Sequence, residues 1–159
     1  QVMGRESPYD STVVTLGDAA AKICYGRPSM RGRQIFGGLV PYDTLWRTGA
    51  NEPTIIHLPF PAEIAGIAVE PGSYSIYTVP GLGQWTVIVN RSIDQWGIET
   101  SYTEDVRSQE VGRATVAAES IAEAVDTFTV ASEAGAENTA NLVLEWENTR
   151  VRIPIERTS

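Results

Sequence analysis

The residues with chemical potential crowd between Gly26 and Glu52, a stretch holding four of the eleven arginines. Arg47, Asn51 and Glu52 place a guanidinium fork, an amide and a carboxylate within six positions, with Tyr42, Asp43 and Trp46 just upstream and Arg27, Arg31 and Arg33 before them. Such a set can hold an anionic or sugar-like ligand through paired hydrogen bonds and ring stacking. The binding site expected on this basis is Arg47, Asn51, Glu52, Tyr42, Trp46 and Arg33. A competing account uses the same residues structurally: Arg47 and Glu52 pair with each other or with backbone carbonyls and pin a long loop that has no ladder of its own. Glu52 or Asp43 could also serve as a general acid or base, since two carboxylates about 5 to 10 Å apart suit glycoside cleavage.

The remaining reactive types point elsewhere. His57 is the sole histidine and Cys24 the sole cysteine. His57 lies in an apolar strand pattern between Ile56 and Leu58, which reads as a packing residue. Cys24 lies in the run from Ala19 to Tyr25, which reads as a buried thiol. One histidine and one cysteine do not make a zinc or copper site, and no Asp-x-Asp-x-Asp spacing for calcium appears. There is no Gly-x-Ser-x-Gly elbow and no phosphate-binding glycine loop, because Gly81-Leu-Gly83 joins two strands. No cofactor or metal is expected. Trp85, Trp96 and Trp146 could form a carbohydrate platform, but Trp85 and Trp146 sit within strand patterns and are expected in the core.

The elements that must position these residues are short strands. Residues 11–16 and 19–25 flank Gly17-Asp18, a turn dipeptide that closes a hairpin. Residues 54–60, 64–69, 73–79 and 84–90 follow, separated by clusters of proline and glycine. In 73–79 both alternating sets carry bulk, as in a strand covered on both faces. Residues 92–110 read as a loop with one helical turn. Strand patterns resume at 114–118 and 127–131, with helix propensity in 119–125 between them, and again at 140–146 and 149–155. In the last of these Val151, Ile153 and Ile155 face one way and Arg150, Arg152 and Pro154 the other, which predicts a half-buried edge strand. About ten short strands with little helix predict an all-β fold, an antiparallel β-sandwich or jelly-roll-like barrel. Residues 1–10 read as a polar arm on a single domain spanning 11–159.

The net charge of −8 argues against non-specific nucleic-acid binding. No apolar run approaches the roughly 20 residues needed to span a membrane. The basic residues are eleven arginines and Lys22. Arginine is favoured where a planar fork must pair with carboxylates. The chain starts at Gln1, which leads to an expectation of export after removal of a leader.

Ser7-Pro8, Tyr25-Gly-Arg-Pro28, Gly32-Arg-Gln-Ile-Phe-Gly37, Leu39-Val-Pro-Tyr42, Trp46-Arg-Thr-Gly-Ala-Asn-Glu52, Pro71-Gly-Ser-Tyr-Ser75, Trp85-Thr-Val-Ile88, Gln95-Trp-Gly97 and Leu144-Glu-Trp-Glu-Asn-Thr-Arg150 occur in that order. With these motifs the chain resembles the bacterial DUF2911 family over nearly its whole length. The resemblance implies an exported, β-rich protein and brings no established activity. The function expected is non-enzymatic self-assembly by exchange of an arm or strand between copies, giving a homo-oligomer or filament. The alternatives are a carbohydrate- or anion-binding module of the cell envelope, or a carboxylate-dependent glycoside hydrolase.

Overall fold

The computed structural model describes residues 9–50, 52–93, 95 and 102–158. Nine strands and one short helix follow in order: β1 (Tyr9–Leu16), β2 (Ala19–Gly26), β3 (Thr54–Leu58), β4 (Ala62–Ile64), β5 (Ile67–Val69), β6 (Gly72–Val79), β7 (Gln84–Asn90), α1 (Glu104–Arg107), β8 (Glu110–Ala134) and β9 (Thr139–Arg157). The all-β antiparallel expectation holds. The strands form one sheet in the order β1-β2-β3-β6-β7-β8-β9-β4-β5. Its continuity rests on β8, which pairs with β7 up to Ala117 and with β9 from Ala118 onward. The sheet therefore has two halves, and a single core unites residues of both, from Val14 and Ile23 to Leu142 and Ile153.

The first hairpin shows how local sequence sets this register. Gly17 has φ 71°, the positive value that the first central residue of a type II′ turn requires. Leu16 then pairs with Ala19, and an unbroken register carries Val14 and Ile23 inward. Strand β6 is covered on both faces as its composition predicts: Tyr74 to Thr78 are all buried.

Several expectations are corrected. Residues 119–125 are not helical but part of β8. Seven residues cannot repay helix nucleation unaided, whereas here β9 offers a partner. The register slips between Ser120 and Val125, so extra residues bulge outward opposite Asn148. The Asn148 amide donates to the carbonyls of Ile121 and Ala122, satisfying the bulge. Four short strands expected near the end are two long ones, β8 and β9, while 64–69 divides into β4 and β5 at the Ala65-Gly66 turn. The last strand is not an edge, because β9 lies between β8 and β4. Its inward set is as expected, with Val151, Ile153 and Ile155 buried, and Pro154 falls between the end of the β8 ladder at Val151 and the start of the β4 ladder at Ile155. His57 is exposed on β3 rather than packed in the core. Tyr9 and Asp10, assigned to the arm by composition, belong to β1; residues 1–8 lie outside the described residues.

Candidate functional site

The long connection between β2 and β3 holds the predicted site residues. Its path is fixed first by backbone pairing. Met30 N–H donates to Asp126 O, Phe128 N–H donates to Pro28 O, and Ser29 bridges Thr127, so residues 28–30 run beside the bulged part of β8. The chain then turns inward at Ile35 and Phe36. Both N–H groups are accepted by one carboxylate, that of Glu147, at 2.9 and 3.1 Å. Glu147 has φ 56°, a left-handed conformation costly for a side-chain-bearing residue. Further on, Asp43 N–H donates to Pro80 O, and Trp46 exchanges two backbone bonds with Thr78. The Thr48 hydroxyl meets that of Thr78 at 3.1 Å, and the Thr54 hydroxyl closes the loop on Thr48 O.

These anchors drive an apolar plug into the core. Ile35, Phe36, Val40 and Trp46 are all buried. Phe36 meets Trp46, Trp85 and Trp146 edge-on at 5.8, 5.1 and 6.1 Å, and Trp46 stacks on Trp146 at 6.0 Å. Each such pair contributes about 0.5–1.5 kcal/mol beyond its burial. Trp85 and Trp146 are core residues, as the strand pattern predicts.

The predicted site residues separate accordingly. Trp46 is 5% exposed and cannot stack on a ligand, which corrects the expectation of an exposed ring. Arg33 donates to the carbonyls of Met30 and Ser29, holding the loop's own backbone. Tyr42 lies partly exposed over Gly37, where an added Cβ would come within 2.8 Å of the ring. Asp43 is exposed with φ 61°. Arg47 is half-buried, and its Nε is buried with no hydrogen-bond partner among the described residues, so pairing with Glu52 does not satisfy that atom. Glu52 is half-buried, and Asn51 lies outside the described residues. Among the described residues the carboxylates whose pKa is displaced, Asp18, Glu110 and Glu133, all move down, the opposite direction from a general acid held protonated.

Composition gave no notice of Glu147 and Tyr25, and Arg27, grouped above with the loop's other arginines, is tied to β8. Glu147 sits in Glu147-Asn148, read as a turn between two strands. Arg27 donates to Phe128 O and Thr129 Oγ1 and pairs with Asp10 at 3.3 Å. The Tyr25 hydroxyl both donates to Val130 O and accepts from Val130 N–H.

A second polar cluster covers the opposite face of the sheet. Asn90 is fully buried, and its amide donates to Val106 O and to the Tyr102 hydroxyl. Tyr102 in turn donates to Glu110 at 2.5 Å, and Glu110 receives a two-bonded fork from Arg113. Burial first, and then the Glu110 bond, pushes the Tyr102 phenol well above its ordinary range. Burial alone would raise Glu110, but the bonds from Arg113 and Tyr102 outweigh it and its pKa is lowered.

With the loop and the core in place, comparison with known families is decisive, for the family model matches residues 7–155. The chain belongs to the DUF2911 family. That family is described as a protein of unknown function. No curated protein and no solved structure matches this DUF2911 chain. Among the described residues, the Pro71–Ser75 motif opens β6 and the Trp85–Ile88 motif lies within β7.

Proposed function

We propose that this DUF2911 protein is an exported, non-enzymatic assembly module whose copies associate by adding strands to the outer edge of β1. The carrying observation is that β1 ends the sheet for eight residues, with Val13 55% exposed. Natural sheet edges are blunted by lysine, proline, bulges or shortness. Residues 9–16 include neither lysine nor proline, and their register against β2 is unbroken. The one charge, Asp10, is paired with Arg27 and turned onto the Ser11 N–H at 2.8 Å. The other end of the sheet, β5, is only three residues long. Main-chain hydrogen bonds would supply the affinity of added strands, and a head-to-tail contact would continue into a filament. Export is part of the same reading and follows the expectation drawn from the family likeness. Light scattering and negative-stain microscopy of the native chain should show oligomers or fibres. Val13→Lys should leave monomers with an unchanged circular dichroism spectrum. A monomeric native chain at all concentrations sinks the reading.

The orphaned Arg47 Nε favours a second reading, an anion or sugar module centred on Arg47 with Tyr42 and Glu52 beside it. A buried donor without a partner carries a cost of about 1–3 kcal/mol, which a bound acceptor would relieve. Binding to a panel of acidic and neutral glycans, lost in Arg47→Ala at unchanged fold, is the expected result; no binding to any member overturns it.

A further inference from the structure

Lys22 and His57 are the single lysine and the single histidine of the chain, and the register sets them directly opposite each other on β2 and β3. His57 is in turn opposite Ser73 on β6. All three lie on the outer face, since their neighbours Ile23, Ile56 and Tyr74 point into the core. The His57 Nδ1 lies 2.7 Å from Ser73 Oγ, which fixes the ring and leaves Nε2 as its remaining polar atom. Leu58 and Pro59 help to wall an open cleft of about 370 Å³ at this row.

Lys22 differs from the arginines that are held in ion pairs. Arg27, Arg113, Arg150, Arg152 and Arg157 are each joined to a carboxylate. Lys22 forms no ion pair among the described residues, and no acidic side chain among them lines the cleft. In a chain of net charge −8 this is a cation left uncompensated at an exposed position of β2. A lysine ammonium is a compact point charge with three donors. Because the imidazole and the hydroxyl share one hydrogen bond, the pair adds one further donor, Nε2–H or Oγ–H according to the tautomer, on adjacent strands about 4.8 Å apart. Apolar walls on one side lower the local dielectric and strengthen attraction for an anion.

We propose that Lys22, His57 and Ser73 form a binding site for a small oxyanion, the phosphate or carboxylate group of a larger ligand. The site lies apart from the Arg47 loop, while Lys22 is the register partner of Val13 on β1. Because the chain has one histidine, its imidazole proton signals in NMR need no assignment by mutation. Titration with inorganic phosphate, and separately with acetate, at constant ionic strength and neutral pH should shift the His57 signal along a saturating curve. Saturation with phosphate alone assigns a tetrahedral oxyanion; saturation with both extends the site to carboxylates. Lys22→Met and Ser73→Ala should each weaken the affinity about tenfold, while Lys22→Arg should weaken it less. Amide spectra that overlay the native one away from the cleft will show that these surface variants are folded. A linear, non-saturating shift with both anions, or unchanged affinity in Lys22→Met, overturns the site.

Discussion

Two long connections close the two faces of the sheet, and they do so by opposite means. The β2–β3 connection sends Ile35, Phe36, Val40 and Trp46 into the core and uses polar groups chiefly to hold its backbone. The connection between β7 and β8 lays Tyr102 over Tyr77, ring centroids 4.6 Å apart, and is tied down by the chain Asn90–Tyr102–Glu110–Arg113. Apolar burial does not depend on protonation, whereas a network built on a phenol and a carboxylate does. The first cover, whose pinning group Glu147 is already ionised at neutrality, should therefore resist the alkaline pH that loosens the second.

The largest effect should come from removing the plug. Trp46→Ala should destabilise the fold by about 3–5 kcal/mol in denaturant titration, with little change in the shape of the stability–pH curve. A loss under about 1 kcal/mol would mean that the aromatic cluster is not the element holding the loop. Next, Glu147→Ala strips an acceptor from two backbone N–H groups at once and should cost about 2–3 kcal/mol, with Glu147→Gln recovering part of it. Full recovery in Glu147→Gln would show that packing, not the paired acceptor oxygens, is what Glu147 supplies.

The smallest effect tests the polar cover. Tyr102→Phe should cost about 1 kcal/mol near neutrality, and its signature is in the pH dependence. Tyr102 has a raised pKa, so its contribution is present below the ordinary tyrosine range and is lost as pH climbs toward the folded value. Glu110 has a lowered pKa, so its contribution is present above 4.5 and is lost as pH falls through the folded value. Native protein should lose stability at both extremes. Tyr102→Phe should make the alkaline limb shallower, leaving the part that buried Tyr25 contributes, and keep the acidic one; an alkaline limb of unchanged depth would separate Tyr102 from it.

Strand positions and the core tryptophans were legible because period-two patterning and turn residues act locally. The type II′ hairpin at Gly17 and the doubly covered β6 follow directly from such signals. The burial of Trp46 was not legible, since nothing in Thr44-Leu-Trp-Arg47 distinguishes an inward ring from an outward one until Thr78 pairs with its backbone. The pinning role of Glu147 was hidden for a similar reason. Its partners, Ile35 and Phe36, are more than a hundred residues away, and no spacing rule reaches that far. The segment 119–125 misled because helix propensity is a weak local preference that a waiting β9 overrides. His57 misled because its apolar neighbours alternate with it rather than surround it.

Strand β8 is a single rail that both halves of the sheet share. Neither half can open without stripping ladder bonds from a strand on which the other depends. Hydrogen exchange should therefore reveal one cooperative unit rather than two foldons. A pull along β8 would meet the resistance of β7 and β9 in series along its length, the arrangement of a spliced cable rather than of two stacked plates.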